Sequence, residues 1–81
     1  MNTDRAREVI IEAVGQVAPD VEPETLDPTL SIRDQADLDS VDFLELVAQL
    51  AGVLHADIPQ ADYDQLETID LAVAYLGPRL D

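Results

Sequence analysis

The sequence predicts an all-α fold: a small four-helix bundle with a long loop between helices one and two and a short third helix. Apolar residues recur at helical spacing in separate stretches, no stretch alternates apolar and polar with period two, and proline-bearing loops divide the stretches. With 81 residues the chain has room for one small core, so residues 1–81 are expected to form a single domain.

The first helix is expected over residues 3–17. Ala6, Ile10, Ala13, Val14 and Val17 make one apolar face. Asn2 or Thr3 caps it, with Asp4 in the first turn, where the helix dipole favours a negative charge, and Pro19 ends it. From Ala18 to Asp39 the chain carries Pro19, Pro23, Pro28 and many acids, which reads as a long ordered loop. Val21, Leu26, Leu30 and Ile32 are its expected pins into the core, and a short helical turn is expected near Pro23–Thr25.

The second helix is expected over residues 40–54, with Asp39 as its N-cap and Leu44, Val47, Leu50 and Leu54 on one face. Gly52 weakens its last turn by about 1 kcal/mol relative to alanine. His55 follows at the C-terminal end, where the dipole stabilises a surface histidine. Ile58 reads as buried and Pro59 interrupts. Residues 60–66 make a short third helix, with Tyr63 and Leu66 three apart. Thr68 caps a last helix over residues 69–77, with Asp70 in its first turn. Ile69, Ala72, Val73 and Leu76 face inward, and Gly77-Pro78 marks a sharp stop. There are no internal repeats and no low-complexity tract.

Composition narrows the function. Hydrophobic residues make up 47% of the chain, a globular composition despite a formal net charge of −14, from 18 acids against 4 arginines. Such a surface repels nucleic acid and anionic lipid and attracts basic protein patches. No apolar stretch approaches the ~18 residues of a membrane span. The start, Met1-Asn-Thr-Asp-Arg, lacks the basic and apolar regions of a signal peptide. The absence of cysteine removes disulfides, thiolate metal sites and thiol nucleophiles, and fits a cytoplasmic protein.

The most informative feature is Asp39-Ser40-Val41, at the start of an amphipathic run in a chain otherwise almost bare of chemistry. There is no Cys, Lys or Trp, and one His. A serine on the first turn of a helix is exposed, and the amides and dipole there favour an added phosphate anion. The pattern points to attachment rather than catalysis. Ser40 and His55, at opposite ends of one helix, make no nucleophile–base pair. The acids Asp34, Asp37, Asp39, Asp42 and Glu45 raise calcium, but an EF-hand loop begun at Asp34 would need ligands at Ala36 and Leu38 and a glycine at Asp39. No metal site is expected.

These residues carry a resemblance. Asp39-Ser40-Val41, Leu44-Glu45-Leu46-Val47, Asp57-Ile58-Pro59, Thr68-Ile69 and Ala74-Tyr75-Leu76 resemble the pattern of stand-alone bacterial acyl carrier proteins, and from Asp39 to Leu76 the spacing matches without a gap. The first helix and loop fit more loosely. The resemblance implies an acyl-carrier-like bundle and a non-catalytic, monomeric carrier. A phosphopantetheinyl transferase would load Ser40 with 4'-phosphopantetheine from coenzyme A, and the arm's thiol would hold acyl groups as thioesters. Asp39 would serve transferase recognition or its metal site. Val41, Asp42 and Glu45 would meet partner enzymes (acyl ligases, synthases or transferases with basic docking patches). An acyl pocket would be lined by Phe43, Leu44, Leu50, Ile58, Tyr63, Leu66, Ala72 and Leu76.

The departures from the family pattern are informative. Ala36-Asp37-Leu38 stands where the family often has a glycine before the Asp-Ser pair. Ala51-Gly52-Val53 replaces a run of acids late in helix two, which points to a dedicated partner set outside bulk fatty-acid synthesis. Phe43 and Tyr63 replace smaller residues and are expected to narrow the pocket, so that cargo is short, polar or kept outside; as aromatics they are also ordinary core residues. Two rival readings stand beside the acyl carrier. One is an aminoacyl or D-alanyl carrier. The other is an acidic interaction module with no covalent cofactor that binds a basic partner by charge. Apart from these, the default reading of Asp42 and Glu45 is a solvated helix face.

Overall fold

A computed structural model describes residues 3–80. Four α-helices run in the order α1 (Thr3–Val17), α2 (Ile32–Ala36), α3 (Ser40–Leu54) and α4 (Ile69–Leu76). Short 3-10 segments at Pro23–Thr25, Gln60–Leu66 and Gly77–Arg79 complete them. The all-α reading holds, with the expected third helix present as the 3-10 segment Gln60–Leu66. Asn2, one of the two expected caps of α1, lies outside the described residues.

Helix α1 packs against both α3 and α4. Its buried face is Ala6, Val9, Ile10, Ala13 and Val14; it meets Phe43, Leu46, Val47 and Leu50 from α3 and Ile69, Ala72, Val73, Tyr75 and Leu76 from α4 in a single core. Ile32, Leu38, Ile58 and Leu66 close it from the connecting segments. Among the described residues no charged side chain is buried. No described helix is long and apolar enough to cross a membrane.

The segment between α1 and α3 is more built than a loop. Ser31 caps α2, its hydroxyl accepting from the Asp34 N–H at 3.3 Å, and Ile32 is fully buried. Five residues later the helix ends at Asp37, whose left-handed backbone (φ 54°) lets the Leu38 N–H reach back to the Arg33 carbonyl at 3.0 Å. This helix was not expected, although Ser31 followed three residues later by Asp34 is a capping signature. Gln35 braces the preceding turn: its Oε1 accepts from the Asp27 N–H at 2.7 Å and its Nε2 donates to the Asp27 and Leu30 carbonyls. The segment is stitched to the start of α4 by Ile32 N–H to Glu67 O at 2.9 Å and Asp70 N–H to Pro28 O at 3.0 Å.

Three expectations need correction. Leu30 is no pin: it closes the Asp27–Leu30 turn and is 54% exposed, while Val21 and Leu26 pack against the core as expected. The inward stripe of α3 is Phe43, Leu46, Val47 and Leu50. Leu44, expected on that face, is 51% exposed, because α1 packs on the side of α3 that carries Leu46. Gly77-Pro78 does not stop the chain sharply. The α-helix ends at Leu76, and Gly77–Arg79 adds a 3-10 turn closed by Leu80 N–H to Leu76 O at 3.0 Å. Proline's missing N–H costs nothing in the first turn of such a segment.

Candidate functional site

Asp39 leaves the helical region at φ −84°, ψ −176° and caps α3. Its Oδ1 accepts from the Asp42 N–H at 2.8 Å, and Asp42 Oδ2 accepts from the Asp39 N–H at 3.3 Å. This reciprocal capping box sets Ser40 as the first helical residue. The Ser40 side chain is exposed, and among the described residues its hydroxyl has no hydrogen-bond partner. The Ser40 and Val41 N–H groups are likewise unpaired there, whereas those of Asp39, Asp42 and Phe43 are taken by the box and the helix. A free hydroxyl beside two free donors at a helix N-terminus suits an anion attached to that oxygen.

Beside Ser40 lies a groove of about 350 Å³ lined by Arg33, Ser40, Phe43, Leu44, Gln60, Tyr63, Asp64 and Glu67. Phe43 and Tyr63 meet edge to face, with centroids 6.0 Å apart and planes at 75°. The Arg33 guanidinium lies over the other partner of this pair, 5.0 Å from the Phe43 centroid. Val41, 72% exposed, and Leu44 lie three residues apart on α3, with Glu45 beside them on the same exposed side. A second groove, of about 500 Å³, runs between α1 and the far end of α3, where Gln49, Gly52, Val53 and His55 line it with Arg5 and Gln16. It is remote from Ser40.

The structure brings together Asp39, Ser40, Val41, Asp42, Phe43, Leu44, Glu45 and Tyr63 of the residues singled out in the sequence. It does not bring Leu50, Ile58, Leu66, Ala72 or Leu76 to the groove; these five are packed in the core. Arg33, Gln60, Asp64 and Glu67 were missed. They come from α2, the 3-10 segment and the residue that follows it, and nothing in their spacing points to Ser40. Among the described residues no three acidic or histidine side chains converge as metal ligands.

The profile of the family described as "Phosphopantetheine attachment site" matches residues 8–76, the greater part of the chain. The chain belongs to this family of carrier proteins. An acyl carrier protein of Lactobacillus johnsonii is 40% identical over 47 residues, 58% of this chain and 59% of that protein. An acyl carrier protein of Rubrobacter xylanophilus is 27% identical over 73 residues, covering 86% of this chain and 90% of that one. The family's covalent cofactor is 4'-phosphopantetheine. The site fits it: this carrier offers an exposed, unpartnered hydroxyl, two free amides and an adjoining groove.

Proposed function

We propose that this chain is an acyl carrier protein that works as one carrier domain and is loaded at Ser40. The observation that carries the reading is the exposed Ser40 hydroxyl, without a hydrogen-bond partner among the described residues and held by the Asp39–Asp42 box at the start of α3. In loading, Ser40 Oγ attacks the β-phosphate of coenzyme A. The Oγ–P bond forms, the bond to adenosine 3',5'-bisphosphate breaks, and the serine proton passes to a base supplied by the transferase. Once bound, the group supplies the thiol that this cysteine-free chain lacks. The chain itself presents and orients; it does not catalyse.

Asp39 has one carboxylate oxygen engaged in the cap and the other available to a transferase. Val41 and Leu44 offer an exposed apolar pair next to Ser40, flanked by Glu45, and suit an acyl ligase, synthase or transferase with a basic patch around an apolar one. Asp42 is committed to the capping box, so its contribution to docking is smaller than that of Glu45. The groove walled by Phe43 and Tyr63 holds about 350 Å³ and carries Gln60 and charged side chains, which suits short or polar cargo and a pathway outside bulk fatty-acid synthesis. We place the carrier in the cytoplasm, where coenzyme A and the transferase are available, as a monomer between encounters.

Intact mass after incubation with coenzyme A, magnesium and a promiscuous phosphopantetheinyl transferase tests this. A gain of one 4'-phosphopantetheine on the wild type and none on Ser40→Ala is expected. A gain on both variants moves the attachment elsewhere, and none on either, with a transferase from the same genome also tried, overturns the reading.

A further inference from the structure

We infer that Arg33 is the positioning residue for the arm, its guanidinium pairing with the phosphodiester on Ser40. The inference rests on the reading of Ser40 given above.

Three observations converge on it. The Arg33 guanidinium is 5.0 Å from the Phe43 centroid, and Phe43 is three residues from Ser40 on the same helix, a spacing at which Cβ atoms are about 5–6 Å apart. Arg33 and Ser40 line one groove. In a chain with 18 acids and 4 arginines, Arg33 has no carboxylate within 4.0 Å among the described residues; the pair found there is Arg7 with Asp70 at 3.9 Å. Asp64 and Glu67 line the same groove, yet the guanidinium is turned onto an aromatic face rather than onto either of them.

The electrostatics of loading give this cation a task. A phosphodiester on Ser40 is placed beside the carboxylates of Asp39 and Asp42, in a chain of net charge −14. The two free amides offset part of that repulsion, and Arg33 is the cation that lines the groove with Ser40. Its backbone is held by the Leu38 N–H bond to its carbonyl, and its side chain rests on Phe43, so little ordering remains when the anion arrives. A planar guanidinium can stack on the ring and still offer two parallel N–H donors to a phosphate, which an ammonium cannot. Held there, the phosphodiester would aim the start of the arm along the Phe43–Tyr63 wall.

The test compares apo and holo protein, with loading verified by intact mass. In wild-type protein the Arg33 Nε–Hε resonance is expected to shift on conversion from apo to holo while that of Arg79 stays in place. The ³¹P resonance of the holo protein is expected to move with added salt. In Arg33→Gln the ³¹P position should differ from wild type and lose its salt dependence, Arg33→Lys should fall between, and Arg5→Gln should match wild type. The wild-type Arg33 resonance needs no variant, so a variant that fails to fold does not close the test. Loading of Ser40 with an unmoved Arg33 resonance overturns this inference alone. Absence of loading overturns the Ser40 reading and this inference with it.

Discussion

The Tyr75 hydroxyl donates to Asp62 Oδ2 at 2.8 Å, tying the last helix to the 3-10 segment that forms one wall of the Ser40 groove. Arg79 completes the cluster, with its guanidinium 3.8 Å from the Tyr75 centroid and Nη1 donating to the Tyr75 carbonyl at 2.6 Å. Burial of the ring, then the bond and charge of Asp62, push the phenol above its ordinary value near 10, against a smaller opposing effect of Arg79. A raised folded value means that the folded state holds its proton longer than the unfolded chain. The contribution is therefore complete below about pH 10 and is lost as pH rises through the folded value. Tyr75→Phe is expected to cost about 0.5–1.5 kcal/mol at neutral pH and to flatten the alkaline decline in stability. Urea titrations between pH 7 and 11 measure both.

Asp39 has two roles that substitution separates. Asparagine caps helices as well as aspartate does, so Asp39→Asn is expected to keep wild-type stability, whereas Asp39→Ala loses about 1 kcal/mol. If the carboxylate also serves the transferase, both variants load more slowly than wild type. Equal loading rates for Asp39→Asn and wild type, measured by mass, would confine Asp39 to the cap.

Three helix-end positions hold a suboptimal residue. A Cβ at Gly52 would meet nothing within 4 Å, and Gly52 lies inside α3, so Gly52→Ala is expected to stabilise by about 1 kcal/mol. Asp37 and His55 adopt left-handed backbones, φ 54° and 55°, that suit glycine better. The His55 turn is a Schellman closure, with Ala56 N–H to Ala51 O at 3.2 Å and His55 N–H to Gly52 O at 3.3 Å. Asp37→Gly and His55→Gly should each raise the melting temperature, and a fall in either would show that the side chain makes a contribution of its own.

Charge repulsion is spread over the surface, since no described charged side chain is buried. Exposed charges are screened within a Debye length of about 10 Å at 0.1 M salt. The melting temperature is therefore expected to rise as sodium chloride is raised from a few millimolar to about 0.5 M, where the Debye length is well below ~10 Å. The exposed Arg7–Asp70 pair, weakened by the same salt, is too small a term to reverse this. Calorimetry across the series checks it, and a flat response would count against repulsion as a significant cost.

The groove makes a prediction about cargo. Phe43 and Tyr63, edge to face at 6.0 Å, occupy the mouth beside Ser40. Acyl chains attached through the arm are expected to leave the melting temperature nearly constant as they lengthen. A progressive rise with length would mean that the core opens to admit them between Leu50, Ile58 and Leu66.

What the sequence determined by itself is what one or two helical turns decide. Asp39 and Thr68 cap their helices as read, the Pro23–Thr25 turn forms where expected, and Ser40 is exposed because the first residue after a cap has little chain to cover it. The inward face of α1 followed from its own periodicity, Val9 apart. Tertiary structure alone decided which of two leucines of α3, two residues apart, is buried. Leu44 and Leu46 are both good core residues by type, and the packing of α1 on α3 leaves one outside and puts the other in the core. The same holds for Arg33 over Phe43 and Tyr75 on Asp62. Each joins segments whose relative position is set by packing of the whole core, and no local spacing encodes a contact of that kind.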